Sequence, residues 1–293
     1  SDKFTNSDMP LIHLTLFKEK NMKGFTAAHV PDQTGKTMVV TGANTGLGFE
    51  TAKALAGKGA RVLLGCRSQL KAQVAKDRIL ASYPEADVVI VELDLGSLVS
   101  IQKAAQQINQ EPRLDVLINN AGIDTGACLP WEQDPDEWWQ VQKVNVRGAY
   151  LCSHAALRHM TKQGTGRIID IGSLISATPS PTSSAYAVSK IALLRMSTCF
   201  AAAAKDFGVS IFTVSPGLVA TDLTSQPKFS DIPKDKWTPI EKCQAVVLAL
   251  ASGKADKLTG RFIHAGLHDL DELIQNADQI IEQDKLTLEL KME

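Results

Sequence analysis

Three glycines set within seven residues, Gly42-Ala43-Asn44-Thr45-Gly46-Leu47-Gly48, constrain this chain's fold more than any other stretch. They follow the apolar Met38-Val39-Val40, which reads as a short buried strand. They lead into residues 49–57, which read as a helix with apolar and small residues inward. Glycine there permits backbone angles closed to other residues. It also lets a dinucleotide pyrophosphate reach the helix N-terminus, where free N–H groups and the helix dipole favour negative charge. Glycines alone mark any turn; the strand before and the helix after supply the context a phosphate cradle requires.

The alternation continues along the chain. Residues 60–66 read as a second strand, 69–82 as a charged helix, 87–93 as a third strand, 97–109 as a helix and 115–118 as a fourth strand. A long helix is predicted over 136–160, a strand over 167–171 and another helix over 185–207. Residues 210–214 and 261–264 complete the strands. Runs of Val, Ile and Leu separated by helices predict an α/β fold, a single doubly wound parallel sheet of about seven strands with right-handed crossovers.

Tyr186 and Lys190 lie four residues apart in Ser183-Ser184-Ala185-Tyr186-Ala187-Val188-Ser189-Lys190, so on a helix they share a face. A free tyrosine, with a pKa of about 10, is a poor acid–base catalyst at neutral pH. An ammonium beside it favours the phenolate and is expected to move that pKa down toward the working range. Taken alone the pair is a common accident of surface helices. Its weight comes from the glycine loop upstream.

Together these motifs resemble the short-chain dehydrogenase/reductase family over roughly residues 35–267. Thr41-Gly42-x-x-x-Gly46-x-Gly48, Asp94, Asn119-Asn120-Ala121-Gly122, Asn145, Ser173, Tyr186-x-x-x-Lys190 and Pro216-Gly217 occur in the family's order. Ser173 precedes Tyr186 by 13 residues, as it does there. The glycine loop and Leu64-Gly65-Cys66-Arg67-Ser68 are similar to the retinol-dehydrogenase-like branch. From Asn145-Val146-Arg147-Gly148 onward the chain is closer to carbonyl and alcohol reductases. The resemblance implies a Rossmann domain over 35–267, an N-terminal extension over 1–34 and a C-terminal helical extension over 268–293.

It also implies roles. Tyr186 would be the general acid in carbonyl reduction and the base in alcohol oxidation. Ser173 would hydrogen-bond the substrate oxygen and stabilise charge developing there. Lys190 would lower the tyrosine's pKa and bind the nicotinamide ribose. Asn145 would hold a water linking Lys190 to solvent. Thr41, Gly42, Asn44, Thr45, Gly46, Leu47 and Gly48 would form the phosphate loop, with Asp94 and Leu95 beside the adenine. Asn120, Ala121 and Gly122 would meet the adjoining ribose. Pro216, Gly217, Val219 and Thr221 match positions that hold the carboxamide.

The second strand ends informatively. An NAD enzyme usually places an acid there for the ribose 2′-hydroxyl, whereas a 2′-phosphate calls for a cation. Here the acid's place falls to Cys66 and the next residue is Arg67, whose paired donors suit phosphate. NADP(H) is therefore the expected cofactor.

The remaining sequence narrows the class. A chain of 293 residues, 44% hydrophobic, can bury the core of one large α/β domain. A net charge of −1 gives no bulk attraction to nucleic acid or acidic membranes. Five scattered cysteines suggest no disulfide framework, and the six histidines no metal site. Residues 11–17 are too short and interrupted for a span or signal core, and no longer apolar stretch is expected to cross a membrane. A cytoplasmic enzyme is the expectation. Residues 222–240, with Leu223, Phe229, Ile232 and Trp237, stand where the family keeps a mobile lid, and Leu129-Pro130-Trp131 and Leu174-Ile175 could add apolar wall. Bulky apolar ketones should therefore suit the site better than small keto acids. Leu270, Leu273, Ile274, Ala277, Ile280 and Ile281 recur at helical spacing and are expected to pack on the body or a second subunit. Relatives commonly form dimers or tetramers through the two long helices, and a homodimer or homotetramer is expected here.

The reading is an NADP(H)-dependent oxidoreductase interconverting a ketone or aldehyde and its alcohol. One rival is a 3-oxoacyl-type reductase, which would need a basic patch that Lys228, Lys234 and Lys236 hint at. The other is a non-catalytic dinucleotide-sensing protein, which loss of a site residue would favour.

Overall fold

The computed structural model describes residues 25–289. Most of the expected N-terminal extension, residues 1–24, lies outside them. Seven strands form one parallel sheet: β1 (Thr37–Thr41), β2 (Arg61–Cys66), β3 (Val88–Glu92), β4 (Val116–Asn119), β5 (Gly166–Ile171), β6 (Val209–Ser215) and β7 (Phe262–His264). Their order is β3-β2-β1-β4-β5-β6-β7. The chain winds outward from β1 through β2 to β3, then returns to place β4 on the other side of β1. That reversal opens a crevice beyond the carboxyl ends of β1 and β4, where doubly wound sheets bind ligands.

Alternation along the strands explains why both faces are covered. Met38, Val40, Val62, Leu64, Val116, Ile118, Ile169 and Phe212 point to one face. Helices α1 (Gly46–Ala56), α2 (Gln69–Ser82) and α7 (Ile240–Ser252) close it with small and apolar residues such as Ala52, Leu55, Ile79 and Val247. Val39, Leu63, Val91, Leu117, Ile168 and Ile211 point the other way. There α3 (Leu98–Ile108), α5 (Ala149–Gln163) and α6 (Ser184–Ala204) lay down Ile101, Ala104, Ala156, Met160, Ala201 and Ala204. Both layers are fully buried, as a parallel sheet requires.

Three features depart from the reading by pattern. First, α1 begins at Gly46, inside the glycine loop, rather than at 49. Second, the helix expected unbroken over 136–160 is α4 (Pro135–Gln142), a π-turn over Lys143–Gly148 and then α5. No proline or glycine pair announces that insertion. Third, the C-terminal stripe is two short helices, α8 (Leu270–Gln275) and α9 (Ala277–Glu282), separated at Asn276. Leu270, Ala277 and Ile280 join the core, while Ile281 is 42% exposed. Upstream of the sheet, Phe25 and Val30 lie against the same core.

One apolar segment also needs correction. Residues Ser184–Phe207 are long and apolar enough, by length and composition, to cross a membrane, contrary to expectation. The segment carries the Tyr186–Lys190 pair and packs its Ala, Ser and Leu residues against the sheet. Its apolarity is that of a helix covering a buried sheet.

Candidate active site

The expected site residues converge at the carboxyl ends of the strands. Gly42 adopts φ +66°, a left-handed angle that favours glycine, as the chain turns out of β1. A Cβ at Gly48 would stand 2.4 Å from Asn120 Nδ2 and 2.5 Å from the Gly42 carbonyl oxygen. The loop is therefore built around those two contacts. Asn120 Nδ2 donates to the carbonyls of Thr41 and Gly42 at 2.9 and 3.2 Å. The Thr41 hydroxyl oxygen accepts from the backbone N–H groups of Asn120 and Ala121, both at 3.0 Å. The side chains of Thr41 and Asn120 thus tie β1 to β4 and hold the loop's shape.

The first turn of α1 is open to an anion. Helices α2, α3 and α4 are capped by the side chains of Ser68, Ser97 and Asp134. Thr45, at the corresponding place in α1, makes no capping bond; its hydroxyl donates to Asp222 at 3.2 Å. The leading N–H groups keep their attraction for phosphate. Thr221 lies close by: a Cβ at Gly46 would stand 3.2 Å from its Cγ2. Asn44 is half-buried beside them, and the Leu47 side chain anchors in the core.

The other expected contacts flank this cradle. Asp94 accepts from the Gly96 N–H at 2.9 Å, fixing the turn after β3, and Leu95 is buried against Gly148. Cys66 is buried, with burial pushing its thiol up to about 11, so it offers no carboxylate-like acceptor. Arg67 is exposed and makes no ion pair among the described residues. Past β6, Pro216 and Gly217 turn the chain, and Val219 is buried, its carbonyl accepting from the Thr224 hydroxyl at 2.6 Å. The glycine cradle, the uncapped helix and the absence of an acid at Cys66 fit a nicotinamide dinucleotide.

Tyr186 and Lys190 sit on the first turns of α6, facing the end of β5. Lys190 Nζ donates to the Ile171 carbonyl at 2.8 Å and stands 5.4 Å from the Tyr186 ring centroid. Ser173 follows Gly172 off β5, its hydroxyl lying against the phenol. A Cβ at Gly122 would stand 3.5 Å from both Lys190 Nζ and Asn145 Oδ1, which brings the Asn119–Gly122 turn into the same group. Asn145 lies in the π-turn. Its amide donates to the Ile123 carbonyl at 2.9 Å and to Ser189 Oγ at 3.0 Å, and its oxygen accepts from the Ile123 N–H at 2.9 Å. The extra residue of the π-turn aims that side chain inward, a use to which such turns are often put.

The electrostatics correct one expectation. The Tyr186 phenol is pushed up from its ordinary value: burial acts first, Asp124 adds to it, and Ser173 only partly opposes them. Lys190 was expected to bring it down. Its ammonium is instead directed at Ile171, and burial lowers Lys190 itself to about 8, opposed by the charge of Asp170. Asp170, enclosed on β5, is pushed up to about 6 by burial, against hydrogen bonds from Ser197 and Asn119. Burial thus holds the tyrosine in its neutral, protonated form.

The 222–240 loop, where a lid is expected, brings in a pairing that pattern alone did not single out. Its base closes where the Thr238 N–H donates to the Leu218 carbonyl at 2.8 Å. Leu223, Phe229, Ile232 and Trp237 are half-buried on it. Lys228, however, turns inward to form an ion pair with Asp124, whose side chain is only 3% exposed. Lys228 also reaches Ser183 Oγ at 3.4 Å. Asp124 and Lys228 stand 104 residues apart, so no local signal joins them. Ser189 was likewise missed, though it lies within the same helical turn as Tyr186 and Lys190.

Known proteins place this geometry. The family model for short chain dehydrogenases matches residues 36–230. A short-chain dehydrogenase of Monascus purpureus is 35% identical over 272 residues, covering 88% of this chain and 89% of its own. A 3-oxoacyl-acyl-carrier-protein reductase of Aquifex aeolicus is 33% identical over 238 residues, 78% of this chain and 95% of its own. Gluconate 5-dehydrogenase from Burkholderia cenocepacia, solved with NADP and tartrate, superposes with a TM-score of 0.72 at 26% identity, over 80% of this chain and 95% of its own. The chain belongs to the short-chain dehydrogenase family. It is thereby an oxidoreductase of a family that binds a nicotinamide dinucleotide and acts on small molecules.

Proposed function

We propose that the enzyme interconverts a ketone or aldehyde and the corresponding alcohol, with NADP(H) as hydride carrier and Tyr186 as general acid and base. The grouping of Tyr186, Ser173, Lys190 and Asn145 beside the glycine cradle carries this reading. The bound dinucleotide supplies or accepts the hydride. The chain's own residues handle the proton and the charge. Tyr186, kept neutral by burial, donates its proton to the carbonyl oxygen during reduction. Ser173 hydrogen-bonds that oxygen as charge grows on it. Lys190 and Asn145 hold the path by which the proton on Tyr186 is replaced, and Arg67 favours a 2′-phosphate.

Two further parts of the reading have support. The 3-oxoacyl alternative draws on the Aquifex relative, but it asks for free basic residues at the site. Lys228, one of the three candidates, is engaged by Asp124, which favours an unattached small molecule. Assembly as a homodimer or homotetramer is supported by Tyr150 on α5 and Val188 and Ile191 on α6, all exposed on the long helices.

The test is a panel of ketones, aldehydes and alcohols followed by NADPH absorbance. Reduction of at least one simple ketone, lost in Tyr186→Phe, is expected. Failure across the panel with both cofactors would overturn the proposal.

A further inference from the structure

Asp124 is an expensive residue where it stands. A buried carboxylate beside the proton donor raises the phenol and resists its ionisation. Burying a charge is unfavourable unless its hydrogen-bonding capacity is met. Only half of it is. Lys228 of the lid pairs with Oδ2, while Oδ1 is buried without a partner. A second acceptor in the same state lies on the same lid, two residues before Lys228. The Gln226 side-chain oxygen is buried and unpartnered, and a Cβ at Gly126 would stand 3.6 Å from it. Asp124 lies in the loop after β4, within electrostatic reach of Tyr186, and Gln226 stands against Gly126, two residues further along that loop.

We infer that Asp124, with Gln226 beside it, receives a hydroxyl group of the substrate, so that the enzyme selects hydroxylated ketones over their deoxy analogues. This rests on the carbonyl–alcohol reading above and deepens it. The chemistry selects hydroxyl among the possible groups. Lys228 already balances the charge of Asp124, so a second cation is not called for. A substrate carboxylate would bring like charge against Oδ1. A neutral O–H donor fills the open lone pair and is rewarded with a charge-assisted hydrogen bond. The half-buried Leu223, Phe229 and Trp237 of the lid leave the rest of the substrate free to be apolar.

A site built to bond a substrate hydroxyl discriminates strongly against the analogue lacking it, because its own polar group is then stranded. The experiment compares α-tetralone with its monohydroxy positional isomers, by kcat/KM with NADPH and by calorimetric titration of the same ketones. At least one isomer should exceed the parent by about tenfold or more in the unmodified enzyme, the smaller end of what a charged hydrogen bond provides. That ratio should collapse toward unity in Asp124→Leu. Asp124→Asn keeps the side chain's shape, so if the leucine variant does not fold, the asparagine variant decides by the same ratio, reduced several-fold. Equal handling of the parent and every isomer by the unmodified enzyme overturns the inference, as does a preference that survives both substitutions. If no ketone is turned over, the carbonyl–alcohol reading fails separately. The titration then still decides whether hydroxyl binding depends on Asp124.

Discussion

Asn145 donates a 3.0 Å hydrogen bond to Ser189 Oγ, and Ser189 in turn donates at 2.7 Å to the Tyr186 carbonyl. This short chain ties the π-turn to the first turn of α6, so Tyr186 and the distant Asn145 hold one another in place. In Ser189→Ala the Asn145 amide loses a buried acceptor, costing about 1–3 kcal/mol. For a domain of this size that is a fall in Tm of several degrees, about 2–4 °C per kcal/mol. Differential scanning calorimetry should find it, together with lower turnover. An unchanged Tm would mean that the hydrogen bond holds nothing.

Tyr186→Phe retains the ring and its packing and removes only the phenolic O–H. Turnover should fall by about two to four orders of magnitude, the range a positioned acid–base group supplies. NADPH binding, followed by fluorescence titration, should stay nearly unchanged, because the glycine cradle is untouched. Substantial hydride transfer in the purified variant would remove Tyr186 from the mechanism.

Local order was readable from the sequence wherever local chemistry set it. Helix α2 occupies Gln69–Ser82, the span read for it from the sequence, and the loop's glycines stand where the backbone needs them. What escaped was tertiary. The π-turn carries Asn145 to partners on the loop after β4 and on α6, and no residue type within Lys143–Gly148 marks it. The Asp124–Lys228 pair closes between the loop after β4 and the loop over 222–240. The direction of the Tyr186 shift also escaped. The four-residue spacing puts a cation nearby, but burial and Asp124 outweigh it, and burial cannot be judged from spacing.

The pH dependence follows from Lys190. Its ammonium, lowered to about 8 by burial, is lost as pH rises through that value, well before the raised phenol of Tyr186 ionises. Reductive kcat/KM should therefore fall on the alkaline side near pH 8. The carboxylate of Asp170 favours the Lys190 charge, and with a pKa of about 6 it is ionised at neutral pH. Asp170→Asn preserves the shape and can still accept from the Asn119 amide, while its own amide NH2 donates to the Ser197 oxygen instead of accepting from it. The variant loses the negative charge that supports Lys190. Its alkaline limb should move to lower pH. A limb that stays in place would show that Asp170 does not act on Lys190.

Gly48→Ala probes the cradle. The added methyl would collide with Asn120 Nδ2 and the Gly42 carbonyl, both within 2.5 Å. The loop must then shift, and Asn120 must release one of its two carbonyl acceptors. Dinucleotide affinity should weaken by at least about tenfold, or about 1.4 kcal/mol. Equilibrium titration of NADPH checks this independently of turnover. Binding at the original strength would mean that the loop bends without consequence.

The proposed preference for NADP(H) rests on two neighbouring residues. At the end of β2 the buried Cys66 thiol, raised to about 11, cannot accept a ribose hydroxyl bond as a carboxylate does. The next residue, Arg67, is exposed and unpaired among the described residues, free to meet a 2′-phosphate with two parallel donors. A charge-assisted hydrogen bond contributes about 1.5–3 kcal/mol, one to two decades in affinity. NADPH should therefore exceed NADH by at least about tenfold in kcat/KM. In the double variant Cys66→Asp, Arg67→Ala the new carboxylate repels the phosphate and accepts from the ribose, while the cation is gone, so the ratio should shrink or invert. Steady-state kinetics with both cofactors decides it. Equal use of NADH and NADPH by the unmodified enzyme would place Arg67 in solvent and the determinant of cofactor choice elsewhere.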